Sequence, residues 1–549
     1  MSAWNFATTW EIAAENIPSA PAVVQGDRTV SWSDFDRRAD GLAAWLVATE
    51  LRRQDKVALY LYNGPEYLEA CFACFKAGLV PVNTNYRYAD EELAYLWDNA
   101  DAVAVVFHSS LADHIERLRD RLPLVRAWLW VDDDGRPCPS WATPYESTTA
   151  TATGRVTAPW GRGADDLLMI YTGGTTGMPK GVMWRQDDLM RGVIGATSKL
   201  FRGPADYETI RTAITGPGRV GLPACPLMHG TGWFSSLALL STAGSVVLLR
   251  GRHFDAEELL DCYERHHVYV SAIVGDALAK PILAALDAHP GRWDLSELRV
   301  LNSSGVMWSA PVKARLLTHI PHVRLVDNFG SSEAMGMAQS ITTSAETATT
   351  AAFVVSDKTR VIDEANRDVT AGSGQIGRVA VRGHQPLGYY KDPEKSSQTF
   401  VTIDGDRYSI PGDYASVAAD GTLQLLGRGS ACINTGGEKV FPEEVEEALK
   451  LHPGVHDAVV VGVPHERFGE SITAVVERAD SAPVDEDALI QHVKGRLASY
   501  KAPKRVLTID SIGRSASGKV DYQGLRQFAL DHLGLTISSD SADKPPMSP

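Results

Sequence analysis

Residues 34–107 repeat one order three times: apolar residues at helical spacing, then a short apolar run. Segment 34–46 reads as helix and 56–62, KVALYLY, as a buried strand. The pairs 65–77 with 79–82 and 91–99 with 102–107 repeat that order. Such alternation builds parallel strands joined by crossover helices on both faces of a sheet. A chain of 549 residues exceeds one hydrophobic core, so roughly two to four domains are expected.

Further along, 134–157 is rich in Pro, Ser, Thr and Gly and reads as a loop, and 167–171 as a strand entering a glycine-rich stretch. More α/β pattern extends to about residue 345. From 376 to 428 short strands separated by Gly, Pro and Asp suggest a small β-rich module. Pro442, Glu443 and Glu444 then open a helix, where a proline and acidic residues suit the free N–H groups of a first turn. A strand at 457–463, a helix at 486–499 and a strand at 505–509 complete a compact C-terminal domain. The expected division is 1–427 for the large domain, 428–430 for a hinge, 431–530 for the small domain and 531–549 for a tail. The fold class expected is α/β. Two parallel-sheet subdomains and a β-rich module form the large domain, and a small mobile α+β domain follows.

Charge narrows the partners. Lys plus Arg number 53 against 68 Asp plus Glu, a net −15, which repels phosphate backbones and speaks against nucleic acid. Six cysteines scattered over the chain are a reduced, cytoplasmic usage rather than a disulfide framework. The N-terminal residues lack the basic and apolar regions of a signal peptide. The apolar stretch 237–249 is broken by Ser241, Thr242, Gly244 and Ser245 and falls short of the roughly 18 residues of a spanning helix, so no integral membrane segment is expected. A homo-oligomer is left open.

The sharpest local feature is YTGGTTGMPKG, residues 171–181. Glycines and hydroxyls after a strand let backbone N–H groups and short side chains crowd a polyphosphate, and Lys180 supplies charge. The spacing excludes a Walker loop, because Lys180 follows Pro179 and no Ser or Thr follows it; no G-x-G-x-x-G occurs there either. Downstream come Ser303-Ser304-Gly305, Asp327-Asn328-Phe329-Gly330-Ser331-Ser332-Glu333, Ile410-Pro411-Gly412-Asp413, Leu426-Gly427-Arg428, Thr435-Gly436-Gly437-Glu438-Lys439 and Arg514-Ser515-Ala516-Ser517-Gly518-Lys519. Taken singly, each has a bland reading: a turn, a helix cap region or a solvated lysine.

Together and in this order they resemble the adenylate-forming superfamily, which includes acyl-CoA synthetases, luciferases and peptide-synthetase adenylation domains. The resemblance covers nearly the whole chain. It implies that Thr172, Gly173, Gly174, Thr175, Thr176, Gly177 and Lys180 embrace the phosphates of ATP, and that Ser304 and Gly305 pass the adenine edge. Asn328, Phe329, Gly330, Ser331 and Ser332 would carry adenine and the α-phosphate, with Phe329 against the base. Many members have Thr at the position of Ser332, which keeps the hydroxyl. Glu333, with Thr176, would hold Mg2+, for which a hard carboxylate is the right donor. Asp413 and Arg428 would take the ribose. Lys519 would bridge acid and nucleotide in the first half-reaction. Gly436, Gly437 and Glu438 would form the turn that admits coenzyme A in the second, after the small domain rotates. Ser430-Ala431 stands where many members place acidic residues or lysine.

Pro226 to Trp233, PLMHGTGW, resembles the segment lining the carboxylate end of the acyl pocket. His229 could position the carboxylate or sit as an ordinary core histidine, and Trp233 could stand at the mouth of an acyl tunnel or simply pack. The stretches GVMWRQDD, IPGDYASV and GRGSACINTGGEKVFPEEVE are similar to bacterial fatty-acyl and steroid side-chain acyl-CoA ligases, which points to a hydrophobic acid. A medium-chain or aryl acid, loading of a free-standing carrier protein, luciferase-like oxygenation and a regulator without turnover are the alternatives. Cys71 and Cys74 read as core thiols, His266-His267 lacks zinc spacing, and Asp132-Asp133-Asp134 reads as a solvated turn.

Overall fold

The computed structural model describes residues 3–150, 154–174, 177–306, 308–346, 348–435, 438–465, 469–479, 485–515 and 520–535. They divide into two compact units, Met1–Arg360 with Ala380–Pro411, and Val361–Val379 with Gly412–Pro549.

Parallel pairing organises the first unit, as the helix–strand alternation requires. One sheet runs Gly388–Tyr389, Gly177–Arg185, Leu167–Gly174, Val80–Asn83, Lys56–Tyr60, Ala102–His108, Ala127–Val131, Thr143–Pro144. Its first three strands are antiparallel to one another and the rest are parallel. A second sheet sets Pro21–Gln25, Ser245–Leu248, Val220–Pro223, Val270–Ile273, Val300–Ser304 and Arg324–Ser331 side by side in parallel. Strand Ala334–Thr342 then returns antiparallel. Strands buried on both faces need apolar side chains throughout, and Ala102–His108 (AVAVVFH) is buried at every position.

Helix Pro65–Ala77 shows how the connections are specified. Proline opens it at the first turn, and Gly78 closes it at φ 64°, a left-handed conformation that glycine adopts without penalty. Cys71 and Cys74 on this helix are fully buried, as expected of core thiols. Its Lys76 is buried too, with Nζ 2.9 Å from Glu11, 2.7 Å from Asp36 and 2.9 Å from Asp40. That ammonium ties together helices Phe6–Asn16, Trp32–Ala48 and Pro65–Ala77.

In the second unit, Val455–His465, Gly469–Arg478 and Arg505–Ile509 form a sheet. Alternate residues point to opposite faces. Val460, Ala474 and Val476 meet Val445, Leu449, Leu489 and Val493 from helices Pro442–Lys450 and Glu486–Lys494. Val459, Val461 and Val475 meet Leu525, Ala529 and Leu530 of helix Tyr522–Leu533.

Two expectations are revised. The 134–157 loop contains a short strand, Thr143–Pro144, and a helical turn, Tyr145–Thr149. The turn is held from outside its own sequence: the Tyr145 hydroxyl donates to buried Glu69 at 3.0 Å, and Thr149 carbonyl presses on Gly41, where a Cβ would sit 2.6 Å away. The Asp132–Asp134 turn is not merely solvated. Asp133 accepts from Ser109 Oγ at 2.7 Å and Ser110 N at 2.9 Å and pairs with Arg252, so it anchors the end of a core strand. The compact units part between Pro411 and Gly412, and 361–379 joins the second unit. The β-rich stretch is accordingly shared. The first unit holds Phe400–Ile403 and Asp406–Ser409, and the second holds the hairpin of Asp413–Val417 with Leu423–Arg428.

Candidate active site

The glycine-rich segment is a β-hairpin. Tyr171 pairs with Gly181, Thr172 with Lys180 and Gly174 with Gly177, so Gly173 and its neighbours approach the tip; Thr175 and Thr176 lie outside the described residues. Gly181 has to be glycine because a Cβ there would lie 2.7 Å from the Tyr171 ring. Asn83, buried at the end of strand Val80–Asn83, fixes the hairpin's base. It accepts from Tyr171 N at 2.6 Å and donates to Tyr171 O at 3.0 Å and Met228 O at 2.7 Å. One amide therefore locks the entry of the glycine loop to the segment before His229.

The parallel strands Val300–Ser304 and Arg324–Ser331 pair Ser304 with Asn328, so Ser304-Gly305 and Asn328-Phe329 lie side by side at strand carboxyl ends. That edge is where open α/β sheets bind ligands. Gly305 adopts φ 90°, outside the ordinary range of an L-residue. Lys313 Nζ and Asp327 form a buried pair at 3.0 Å beneath Asn328, whose Oδ1 accepts from Gln339 at 2.9 Å. Phe329 is nearly buried, its ring 5.6 Å from that of Phe353. A register shift between Phe329 and Ser331, centred on Gly330, turns the chain toward Ser332 and Glu333. Ser331 Oγ accepts from Glu333 N at 3.3 Å, and the buried Trp184 indole donates to Ser332 O at 2.9 Å. Trp184 sits on the second strand of the glycine hairpin, so this bond joins the two motifs. The Glu333 side chain is 7 % exposed and accepts from the Tyr389 hydroxyl at 2.9 Å.

His229 immediately precedes helix Gly230–Ser241. The close turn there depends on Gly232, where a Cβ would lie 2.5 Å from Pro226 O. Thr231 Oγ1 and Ser304 Oγ share a hydrogen bond at 2.7 Å, which brings the His229 segment to the Ser304-Gly305 strand end. Trp233 is fully buried, edge-on to Tyr67 with ring centroids 5.9 Å apart. Its indole packs within the core of the first unit.

Asp413 and Arg428 belong to the second unit. They face each other across a hairpin, with Arg428 Nε 3.4 Å from Asp413 Oδ1. Two antiparallel strands thus present an acceptor and a donor at one point. Glu438 lies on a short strand pairing with Thr435, while Gly436, Gly437 and Lys519 lie outside the described residues. Of the 514–519 motif, Arg514 is described. Its Nε and one terminal nitrogen grip Asp457 at 2.5 and 3.0 Å.

Beside Gly427 the second unit buries two acids. Glu443 packs against the Gly427 backbone, and Glu446 accepts from Val460 N at 3.0 Å. Burial, then the neighbouring Glu446, pushes Glu443 up to about 8; burial likewise pushes Glu446 up to about 7. Both acids are raised, so the folded unit keeps protons that the unfolded chain releases above its ordinary carboxylate value of about 4.5. Stability is therefore full below that value and falls as pH rises through about 7 and 8, at up to ~1.4 kcal/mol per pH unit for each retained proton. Glu443→Gln is expected to flatten this decline between pH 5 and 8, read as urea midpoints of the full chain. An unchanged slope would contradict the burial of that proton.

The profile described as AMP-binding enzyme matches residues 10–390, and that of the AMP-binding enzyme C-terminal domain matches 444–519. This chain belongs to the AMP-binding enzyme family. A 3-oxocholest-4-en-26-oate–CoA ligase of Rhodococcus rhodochrous is 38% identical over 97% of this chain and 96% of its own. The medium-chain acyl-CoA ligase Mig of Mycobacterium avium is 37% identical over 94% and 97%. Among solved structures, ATP-bound MatB from Rhodopseudomonas palustris superposes with a TM-score of 0.79 at 27% identity, over 96% of this chain and 100% of that one.

Three residues that hold these motifs were given no role from the sequence of this AMP-binding enzyme: Asn83, Trp184 and Tyr389. Each reaches its partner across a long stretch of chain, 88, 148 and 56 residues respectively.

Proposed function

We propose that this AMP-binding enzyme is an acyl-CoA synthetase acting on a hydrophobic carboxylic acid, a long-chain fatty acid or a steroid side-chain acid. The observation that carries the reading is the 37–38% identity, over nearly the whole of both chains, to CoA ligases named for medium-chain acyl groups, medium- and long-chain fatty acids and a steroid side-chain acid. Six cysteines that form no disulfide among the described residues support a cytoplasmic setting. No helix among the described residues is long and apolar enough to cross a membrane.

In the first half-reaction a carboxylate oxygen of the acid attacks the α-phosphorus of ATP. The bond to pyrophosphate breaks, giving an acyl-adenylate. The protein's work is to hold two anions in line and to balance charge on the phosphates. The glycine hairpin 172–180 would direct N–H groups, hydroxyls and Lys180 at the phosphates, and Lys519 would bridge acid and nucleotide. Glu333 fits magnesium: it is a hard carboxylate with one oxygen bonded to Tyr389 and a second of the kind that ion takes. When bound, Mg2+ would neutralise phosphate oxygens. Asp413 and Arg428 would hold the ribose. His229 would orient the carboxylate end of the acid. In the second half-reaction the thiolate of coenzyme A attacks the acyl carbon and AMP leaves. Here the 428–430 hinge would let the domain 431–530 exchange Lys519 for the turn of Gly436, Gly437 and Glu438.

Pyrophosphate release should be measured against a panel of fatty, steroid side-chain and aryl acids, then thioester formation with and without coenzyme A. Turnover confined to hydrophobic acids and dependent on coenzyme A is expected. Adenylate formed but passed only to a carrier protein would make the chain an acyl-AMP ligase. No AMP from any acid would overturn the assignment.

A further inference from the structure

One short segment, 388–392, touches both charged ends of the phosphate site, and no motif read from the sequence includes it. Strand Gly388–Tyr389 adds to the glycine hairpin, pairing with Met183 and Val182. Gly388 is required there, since a Cβ would lie 2.8 Å from Ser396 Oγ, the same hydroxyl that accepts from Tyr389 N at 2.8 Å. The buried Tyr389 ring is thereby fixed, with its hydroxyl donating to Glu333 Oε1 at 2.9 Å. Three residues on, Asp392 caps helix Pro393–Thr399 by accepting from Lys395 N and pairs with Lys180 Nζ at 2.9 Å. That ammonium lies 5.7 Å from the Tyr389 ring centre, within reach of a cation–π attraction.

We propose that 388–392 is a positioning clamp for the adenylation site: Tyr389 sets the Glu333 carboxylate and Asp392 sets the Lys180 ammonium. The proposal rests on the role given to Glu333 above and goes beyond it in naming what orients that carboxylate. A phenol held on one carboxylate oxygen leaves the other for a cation, so Glu333 is steered to single-oxygen coordination. Magnesium demands near-octahedral geometry at short distance, whereas calcium accepts carboxylates through both oxygens. Tyr389 is thus a positioning residue with a bearing on which metal works. Groups that orient a metal ligand commonly change metal affinity ~10- to 100-fold when removed.

The test uses the full chain with a non-hydrolysable ATP analogue and Mn2+ as the probe, its binding read by electron paramagnetic resonance. Tyr389→Phe is expected to weaken Mn2+ binding about tenfold, to raise the Mg2+ concentration for half-maximal pyrophosphate release by a similar factor and to sharpen inhibition by Ca2+. Glu333→Gln serves as the reference. If Glu333→Gln loses Mn2+ and Tyr389→Phe matches the wild type, the clamp is overturned and the assigned role of Glu333 stands. If neither variant changes Mn2+ binding, the role of Glu333 falls, and the clamp with it. Asp392 is a third exposed, so Asp392→Asn tests the other half without a folding burden. It is expected to raise KM for ATP several-fold and leave Mn2+ affinity unmoved. Unchanged KM would remove Asp392 from the clamp.

Discussion

Lys519→Ala is expected to slow pyrophosphate release by about 10²-fold or more, the scale of losing one preorganised group aimed at developing charge. Thioester formation from supplied acyl-adenylate should proceed at close to the wild-type rate, because the lysine serves only the step that joins acid to nucleotide. The split is what makes the experiment informative. A general folding defect would slow both half-reactions, and equal loss of both would remove Lys519 from the mechanism. The flanks of the motif are well held, which argues that an alanine there will not unfold the domain. Arg514 grips Asp457, Ile512 N donates to Glu477 at 2.7 Å, and Asp521 caps the helix Tyr522–Leu533 by accepting from Gly524 N.

Asn83→Ala is expected to cost about 3 kcal/mol of stability and to depress kcat/KM for ATP as well. Three buried hydrogen bonds end on this amide, and alanine leaves the Tyr171 N–H and the Tyr171 and Met228 carbonyls without it. An unsatisfied buried backbone group costs roughly 1–3 kcal/mol, so the loss exceeds that of an ordinary surface hydrogen bond. The functional loss follows from position: the bonds tie the glycine hairpin to the His229 segment. Denaturant midpoints and steady-state kinetics on one preparation check both parts. A change under about 1 kcal/mol with unchanged kcat/KM would show that the two segments hold their places without the amide.

These two residues mark the limits of what a chain shows before it is folded. Lys519 is conspicuous as the last of a series of motifs in order, and that order identified the family. Asn83 sits in a plain apolar strand, VPVN, with no local sign of what it does. Tyr389 and Asp392 are similar: a Gly-Tyr-Tyr before a helix cap reads as an unremarkable turn. Trp233, by contrast, carried a suggestive sequence context and packs in the core.

Residue pattern alone determined the alternation of helices and strands, the parallel sheets it implies, the strand that enters the glycine-rich segment and the resemblance to the family. Those properties are local: spacing, turn chemistry and apolar runs act between near neighbours along the chain. The tertiary structure alone decided which distant groups meet, such as Asn83 with Tyr171 and Met228, Trp184 with Ser332, and Tyr389 with Glu333. It also decided that 361–379 joins the second compact unit. Such pairings follow from how sheets and crossovers stack. A hydrogen bond between residues 56 positions apart, Tyr389 and Glu333, is set by strand order and leaves no periodicity in the sequence to read.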